Sequence, residues 1–225
     1  MFCDLVGSTP LSEKLDPEAL QEVVRAFQEQ CATSVDRFAG TIALSLGDGL
    51  LVYFGLPVAH EDDAYQAVRT GLDIIAALPQ LNRQLAAKLD VLRTSPLRVR
   101  IGIHTGLVVA GEKERQGDRD LLEAVGETPV LAMRLQSLAE PNSVVISGAT
   151  YQIVEGFFDC RALGMQHSPI RKHSERNARS AVSLSFSARM AGVTSTLLRR
   201  SLTTIRLTSW TFCHGASAIA LSKAV

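Results

Sequence analysis

"TIALSLGDGLLVYFG", residues 41–55, is the stretch on which the fold turns. Residues 41–46 and 50–55 are apolar and strand-like, and Gly47-Asp48-Gly49 between them makes a tight hairpin turn. Asp48 therefore sits at a hairpin tip. A second stretch, "MFCDLVGST" at 1–9, sets another carboxylate, Asp4, among apolar residues and ends in the small residues Gly7-Ser8-Thr9. A strand that buries Phe2, Leu5 and Val6 gains little from a lone acid. An unpaired buried charge is costly, so Asp4 needs a partner.

The elements around these two stretches follow from spacing. Asp16 is a good helix cap, and Pro17 suits the first helical position. Leu20, Val23, Val24, Phe27, Cys31, Val35 and Phe38 then recur at helical intervals, and Gly40 ends the run. Glu61-Asp62-Asp63 opens a second helix, expected to run to Pro79 and resume near Leu81–Leu89. "LRVRIGIHTG", 97–106, alternates like a strand, and "LVVAG", 107–111, is expected to pair back on it. A helix over 128–139, a strand over 143–147, a short helix over 149–154 and a strand over 157–163 complete the pattern. Helices alternating with mostly antiparallel strands predict an α+β fold, a ferredoxin-like sheet with helices packed on it.

In such a sheet the first strand lies beside the hairpin, and Asp4 meets Asp48. Two carboxylates can share divalent cations, and Mg²⁺ favours a few carboxylates plus substrate phosphates. The backbone N–H groups of Leu5, Val6, Gly7, Ser8 and Thr9, leading into a helix, suit phosphate oxygens. Each signal has a bland counterpart: a GDG is usually only a turn, and an Asp before small residues is often a cap. His104 in "IGIHTG" reads as a packed, hydrogen-bonded strand residue rather than a general base. His60-Glu61-Asp62-Asp63 reads as a capped helix start rather than a metal site.

Composition narrows the classes further. The net charge is zero, so nothing draws the whole chain to nucleic acid. Cys3, Cys31, Cys160 and Cys213 form no CxxC pair, as in a reduced cytoplasmic protein. No apolar run reaches the length of a membrane span, and no signal peptide is seen. The charge is divided unevenly: residues 1–165 hold 14 basic and 22 acidic residues, and 166–225 hold nine basic and one acidic, with 11 serines. Two regions are therefore expected: a domain over 1–165, and a basic Ser-rich tail over 166–225 that packs poorly or lies outside the domain.

Six motifs in order carry a resemblance: "FCDLVGST", "LGDGLLVYFG", "AHEDDA", "VRIGIHTGLVVAG", "VGETPVLAMRLQSLAEPNSVVIS" and "FFDCRALG". Over about residues 1–165 the chain resembles the class III adenylate and guanylate cyclase catalytic domain. The resemblance implies conversion of ATP or GTP to a 3′,5′-cyclic nucleotide and pyrophosphate, with two Mg²⁺ or Mn²⁺ ions. It implies a homodimer whose sites lie between subunits. Asp4 and Asp48 match the metal aspartates, and Arg134 the arginine that stabilises charge on the phosphate. Leu44 and Glu123 fall at base-reading positions. Val130 stands where the family has an asparagine that orients the ribose. The family's strand before Phe-Cys-Asp is longer, and nothing after residue 165 resembles its Leu-Lys-Gly segment. The resemblance leaves three readings: an active cyclase, a weakly active or inactive cyclase-like regulatory module that binds nucleotide, and a truncated or frame-shifted fragment.

Overall fold

The computed structural model describes residues 1–113, 121–163, 181–184 and 223–224. Strand β1 (Phe2–Leu5) leads through a turn into the short helix α1 (Ser8–Ser12) and the long helix α2 (Pro17–Arg37). Asp16 caps α2, its carboxylate accepting the Ala19 N–H at 2.8 Å. Strands β2 (Thr41–Leu46) and β3 (Gly49–Tyr53) form the hairpin, with Gly47 in the left-handed region at φ 62°. Then come α3 (Asp63–Ala86), α4 (Val91–Thr94), β4 (Val99–Ile103), β5 (Gly106–Leu107), β6 (Val109–Lys113) and β7 (Leu121–Val125). Helix α5 (Glu127–Leu138), β8 (Ser143–Ser147), α6 (Gly148–Val154), β9 (Cys160–Ala162), β10 (Ala181–Leu184) and β11 (Lys223–Ala224) complete the described chain.

The main sheet has the order β2-β3-β1-β4-β8-β10-β9. Its β2-β3-β1-β4 portion is the ferredoxin-like arrangement read from the sequence, with β1 antiparallel to both β3 and β4. The β4–β8 pair is parallel. Strand alternation sorts the side chains of β1 and β4 onto two faces. Cys3 and Ile101 turn toward α2 and α3, within the main core of Val23, Phe27, Cys31, Val35, Ile74 and Leu78. Phe2, Asp4, Arg100 and Gly102 turn toward α5.

Gly102 is where α5 touches the sheet. A Cβ there would lie 2.1 Å from the Ala132 carbonyl oxygen and 2.2 Å from the Gln136 nitrogen. Only glycine admits that approach.

Three expectations need correction. Helix α3 does not break at Pro79 but runs on to Ala86. Pro79 is exposed, so the backbone bond it forfeits faces water, while buried Ile74, Leu78, Leu81 and Leu85 hold both halves on the core. Residues 107–111 do not pair back on β4: Val109–Lys113 pairs with β7 in a separate two-stranded ribbon, and Gly106–Leu107 pairs with β11. The strand expected over 157–163 is only Cys160–Ala162. The basic Ser-rich stretch lies outside the described residues except at β10 and β11. Strand β10 pairs with both β8 and β9.

Candidate active site

The site forms where β1 ends beside the β2–β3 turn. Asp4 is opposite Gly49 on one side and Arg100 on the other. A Cβ at Gly49 would lie 3.4 Å from Asp4 Oδ1 and 3.2 Å from the Phe2 ring, so the second glycine of the GDG leaves room for the carboxylate. Gln28, on α2, donates its side-chain amide to the Gly47 carbonyl at 2.9 Å and ties the turn that presents Asp48 to the helix layer.

Burial first, and then the Asp48 charge, push the Asp4 carboxyl above its ordinary range. The Leu5 N–H and the Arg100 guanidinium pull the other way, and a hydrogen bond with the Asp48 carboxyl raises it again. Asp4 and Asp48 are thus brought together, as the sequence predicts. Among the described residues no group of three or more His, Cys, Asp or Glu side chains gathers to hold a metal. Two carboxylates alone suit a hard cation that keeps water and phosphate oxygens as its other ligands.

The loop residues divide. Leu5 is buried and its N–H turns to the Asp4 carboxylate. The Val6 N–H is spent on the Arg98 carbonyl at 2.7 Å and is not available for phosphate. Gly7, at φ 78°, caps α1, so the N–H groups of Ser8 and Thr9 lie in its first turn. Leu44 is 40% exposed on β2, next to a register shift between Ile42 and Leu44. Glu123 lies on β7 opposite Gly111 in the separate ribbon. Val130, 44% exposed, and Arg134 stand one turn apart on α5.

Two residues at the site escape a reading by motif. Gln136, 7% exposed, donates to Asp4 Oδ2 at 3.4 Å. Arg100 stands across from Asp4 with its Nε buried and no partner among the described residues. A buried guanidinium nitrogen left without a partner is costly, and its charge acts on the Asp4 carboxylate beside it. Both carry the signal that marked Asp4, a polar residue at an inward phase of an apolar element.

His104 belongs to a neighbouring network. It is 3% exposed, its Nδ1 lies 2.9 Å from Ser147 Oγ, and Thr150 Oγ1 lies 3.0 Å from both Ser147 Oγ and Thr105 Oγ1. Burial, with a smaller effect of the N-terminal amine, lowers its pKa from 6.5 to about 4. The folded state therefore holds fewer protons than the unfolded state, and stability falls as pH drops from about 6.5 toward 4. Urea midpoints taken from pH 7.5 to 5 are expected to fall more steeply for the native protein than for His104→Gln. Equal slopes would remove His104 as a source of acid sensitivity.

The sheet order and the carboxylate pair define a class III cyclase type of catalytic domain. A sequence model of the adenylate and guanylate cyclase catalytic domain matches residues 1–176, and the chain belongs to that family. It is 31% identical over 169 residues to adenylate cyclase 1 of Rhizobium meliloti, covering 73% of this chain and 24% of that protein. The chain thus spans about a quarter of that relative's length. The crystal structure of the adenylyl cyclase CyaB from P. aeruginosa superposes with a TM-score of 0.73 at 28% identity, covering 85% of this chain and 94% of that one. The guanylyl cyclase Cya2 superposes with a TM-score of 0.68 at 30% identity, covering 81% of this chain and 87% of that one. Among the described residues no helix is long and apolar enough to cross a membrane.

Proposed function

We propose that this chain is a nucleotidyl cyclase domain, cytoplasmic and active as a homodimer, that closes ATP or GTP to the 3′,5′-cyclic nucleotide with release of pyrophosphate. The observation that carries this reading is the meeting of Asp4 and Asp48 at the β1 end and the hairpin tip. These two carboxylates would hold two Mg²⁺ or Mn²⁺ ions. When bound, such ions activate the ribose 3′-hydroxyl and neutralise the triphosphate. Gln136 and the Leu5 N–H fix the Asp4 carboxylate in orientation. Arg100 would supply positive charge beside the phosphates, joined by the first-turn N–H groups of α1. Arg134 of a second subunit would stabilise the charge that develops as the 3′-oxygen bonds to the α-phosphorus and the bond to pyrophosphate breaks. Exposed Leu44, Leu46, Leu107, Val130, Met133 and Leu138 support self-association. The body of the domain is taken as residues 1–165, to which β10 adds a strand between β8 and β9 from within the basic segment.

Val130 favours a second reading, a regulatory module that binds nucleotide and turns it over poorly. An exposed valine cannot orient a ribose oxygen, whereas an amide at this point of α5 can. Val130→Asn is expected to raise cyclic nucleotide formation by about 10²-fold, the scale of one preorganised donor. If the parent and Val130→Asn are both inert while nucleotide still binds, the regulatory reading replaces the enzymatic one.

A further inference from the structure

Beside the turn that follows Asp4 lies a cleft of about 360 Å³, near the small end of ligand-sized pockets. Buried Leu11 and Leu97 line it as an apolar floor. Exposed Lys14, just past α1, and exposed Arg98, just before β4, line it as well, together with Thr94 and Ser95. Among the described residues no acid lines the cleft. Arg93, close by in sequence, is paired with Asp90 at 3.3 Å, but neither Lys14 nor Arg98 forms an ion pair among the described residues. Arg98 is fixed through its main chain, whose carbonyl accepts the Val6 N–H at 2.7 Å. Two unneutralised cations, two hydroxyls and no carboxylate complement a multiply charged oxyanion, and the apolar floor accepts a small carbon body beneath it.

We propose that this cleft is a binding site for a phosphate-bearing small molecule, held by Lys14 and Arg98. The inference does not depend on the cyclase reading. Two sources share the chemistry: the polyphosphate end of a nucleoside triphosphate, and a separate phosphorylated metabolite with a small body.

The test is calorimetric titration of the full chain with inorganic pyrophosphate, without divalent cations. The native protein is expected to bind, less tightly as salt is raised. Lys14→Gln with Arg98→Gln is expected to weaken binding by about tenfold or more, as for lost charge-assisted hydrogen bonds. Arg25→Gln, which removes an exposed cation of α2 away from the cleft, is expected to leave it unchanged. A thermal melt checks that the variants fold, and each single substitution is expected to give a smaller loss in the same direction if the double one does not fold. Competition by ATP that is lost in the double variant assigns the site to a triphosphate. Competition by glucose 6-phosphate, but not by ATP, assigns it to a separate metabolite. Native affinity in a folded double variant, or no pyrophosphate binding by the native chain, would overturn the proposal.

Discussion

Gly102→Ala is expected to destabilise the domain by about 3 kcal/mol or more, at the upper end of what overpacking costs. The added methyl would fall 2.1 Å from the Ala132 carbonyl oxygen and 2.2 Å from the Gln136 nitrogen. Both are backbone atoms of α5, so no rotamer change relieves the clash and the helix must leave the sheet. The damage would reach the site, because α5 carries Gln136 against Asp4 and is moored by Thr128 Oγ1 donating to the Leu107 carbonyl at 2.7 Å. Gly71→Ala makes the control. Its Cβ would meet only side-chain atoms, Val144 Cγ2 at 3.2 Å and Ile101 Cγ2 at 3.4 Å. Alanine also gains about 1 kcal/mol in a helix interior over glycine, so the net change at Gly71 is expected to be small. Urea unfolding of both variants is the measurement. A Gly102→Ala midpoint close to the native one would mean that α5 does not pack as described.

Asp48→Asn is expected to abolish the response to divalent cations and lower cyclic nucleotide formation by about 10³-fold or more, since metal charge stabilisation is worth several kcal/mol. Without metal its effect has the opposite sign. Asp4 is raised above its ordinary range by burial and by the Asp48 charge, so the folded state holds its proton more tightly than the unfolded state. Stability therefore falls as pH rises through that window, and replacing Asp48 by a neutral amide relieves part of this loss. The metal-free variant is expected to melt no lower than the native protein at pH 7. Adding Mn²⁺ should raise the native melting temperature and leave that of Asp48→Asn in place. A variant that still gains stability from Mn²⁺ would show that the cation binds elsewhere.

The sequence was most readable where side-chain period and turn chemistry agreed. Asp16-Pro17 marked the start of α2, and the hairpin and its pairing with β1 followed from apolar runs around GDG. Asp4 stood out because a carboxylate interrupts an apolar strand. Pro79 misled because the rule that proline ends a helix assumes a bond worth keeping, and an exposed position within an otherwise well-buried helix loses little. The pairing of 109–113 was not legible, since the choice between β4 and β7 depends on long-range register. Gln136 and Arg100 were missed for a different reason. Their inward orientation could be inferred from phase, but Arg100 meets Asp4 through the long-range pairing of β4 with β1, and Gln136 meets it only because α5 approaches the sheet closely at Gly102, a contact between residues 30 and more positions apart. Val6 shows the converse: its N–H looked available in the loop but is taken by the carbonyl of Arg98, just before β4 and distant in sequence.

The central claim is that Asp4 and Asp48 of one subunit and Arg134 of another complete one cyclase site. Mixing two variants, Asp48→Asn and Arg134→Ala, each in the Val130→Asn background, tests it most directly through the rate of cyclic nucleotide formation with Mn²⁺. Each variant alone is expected to be nearly inert. An equal mixture should recover about a quarter of the parent rate, because half of the dimers are mixed and each mixed dimer holds one intact site of two. A mixture as inert as its components, beside an active parent, would contradict a site shared between subunits.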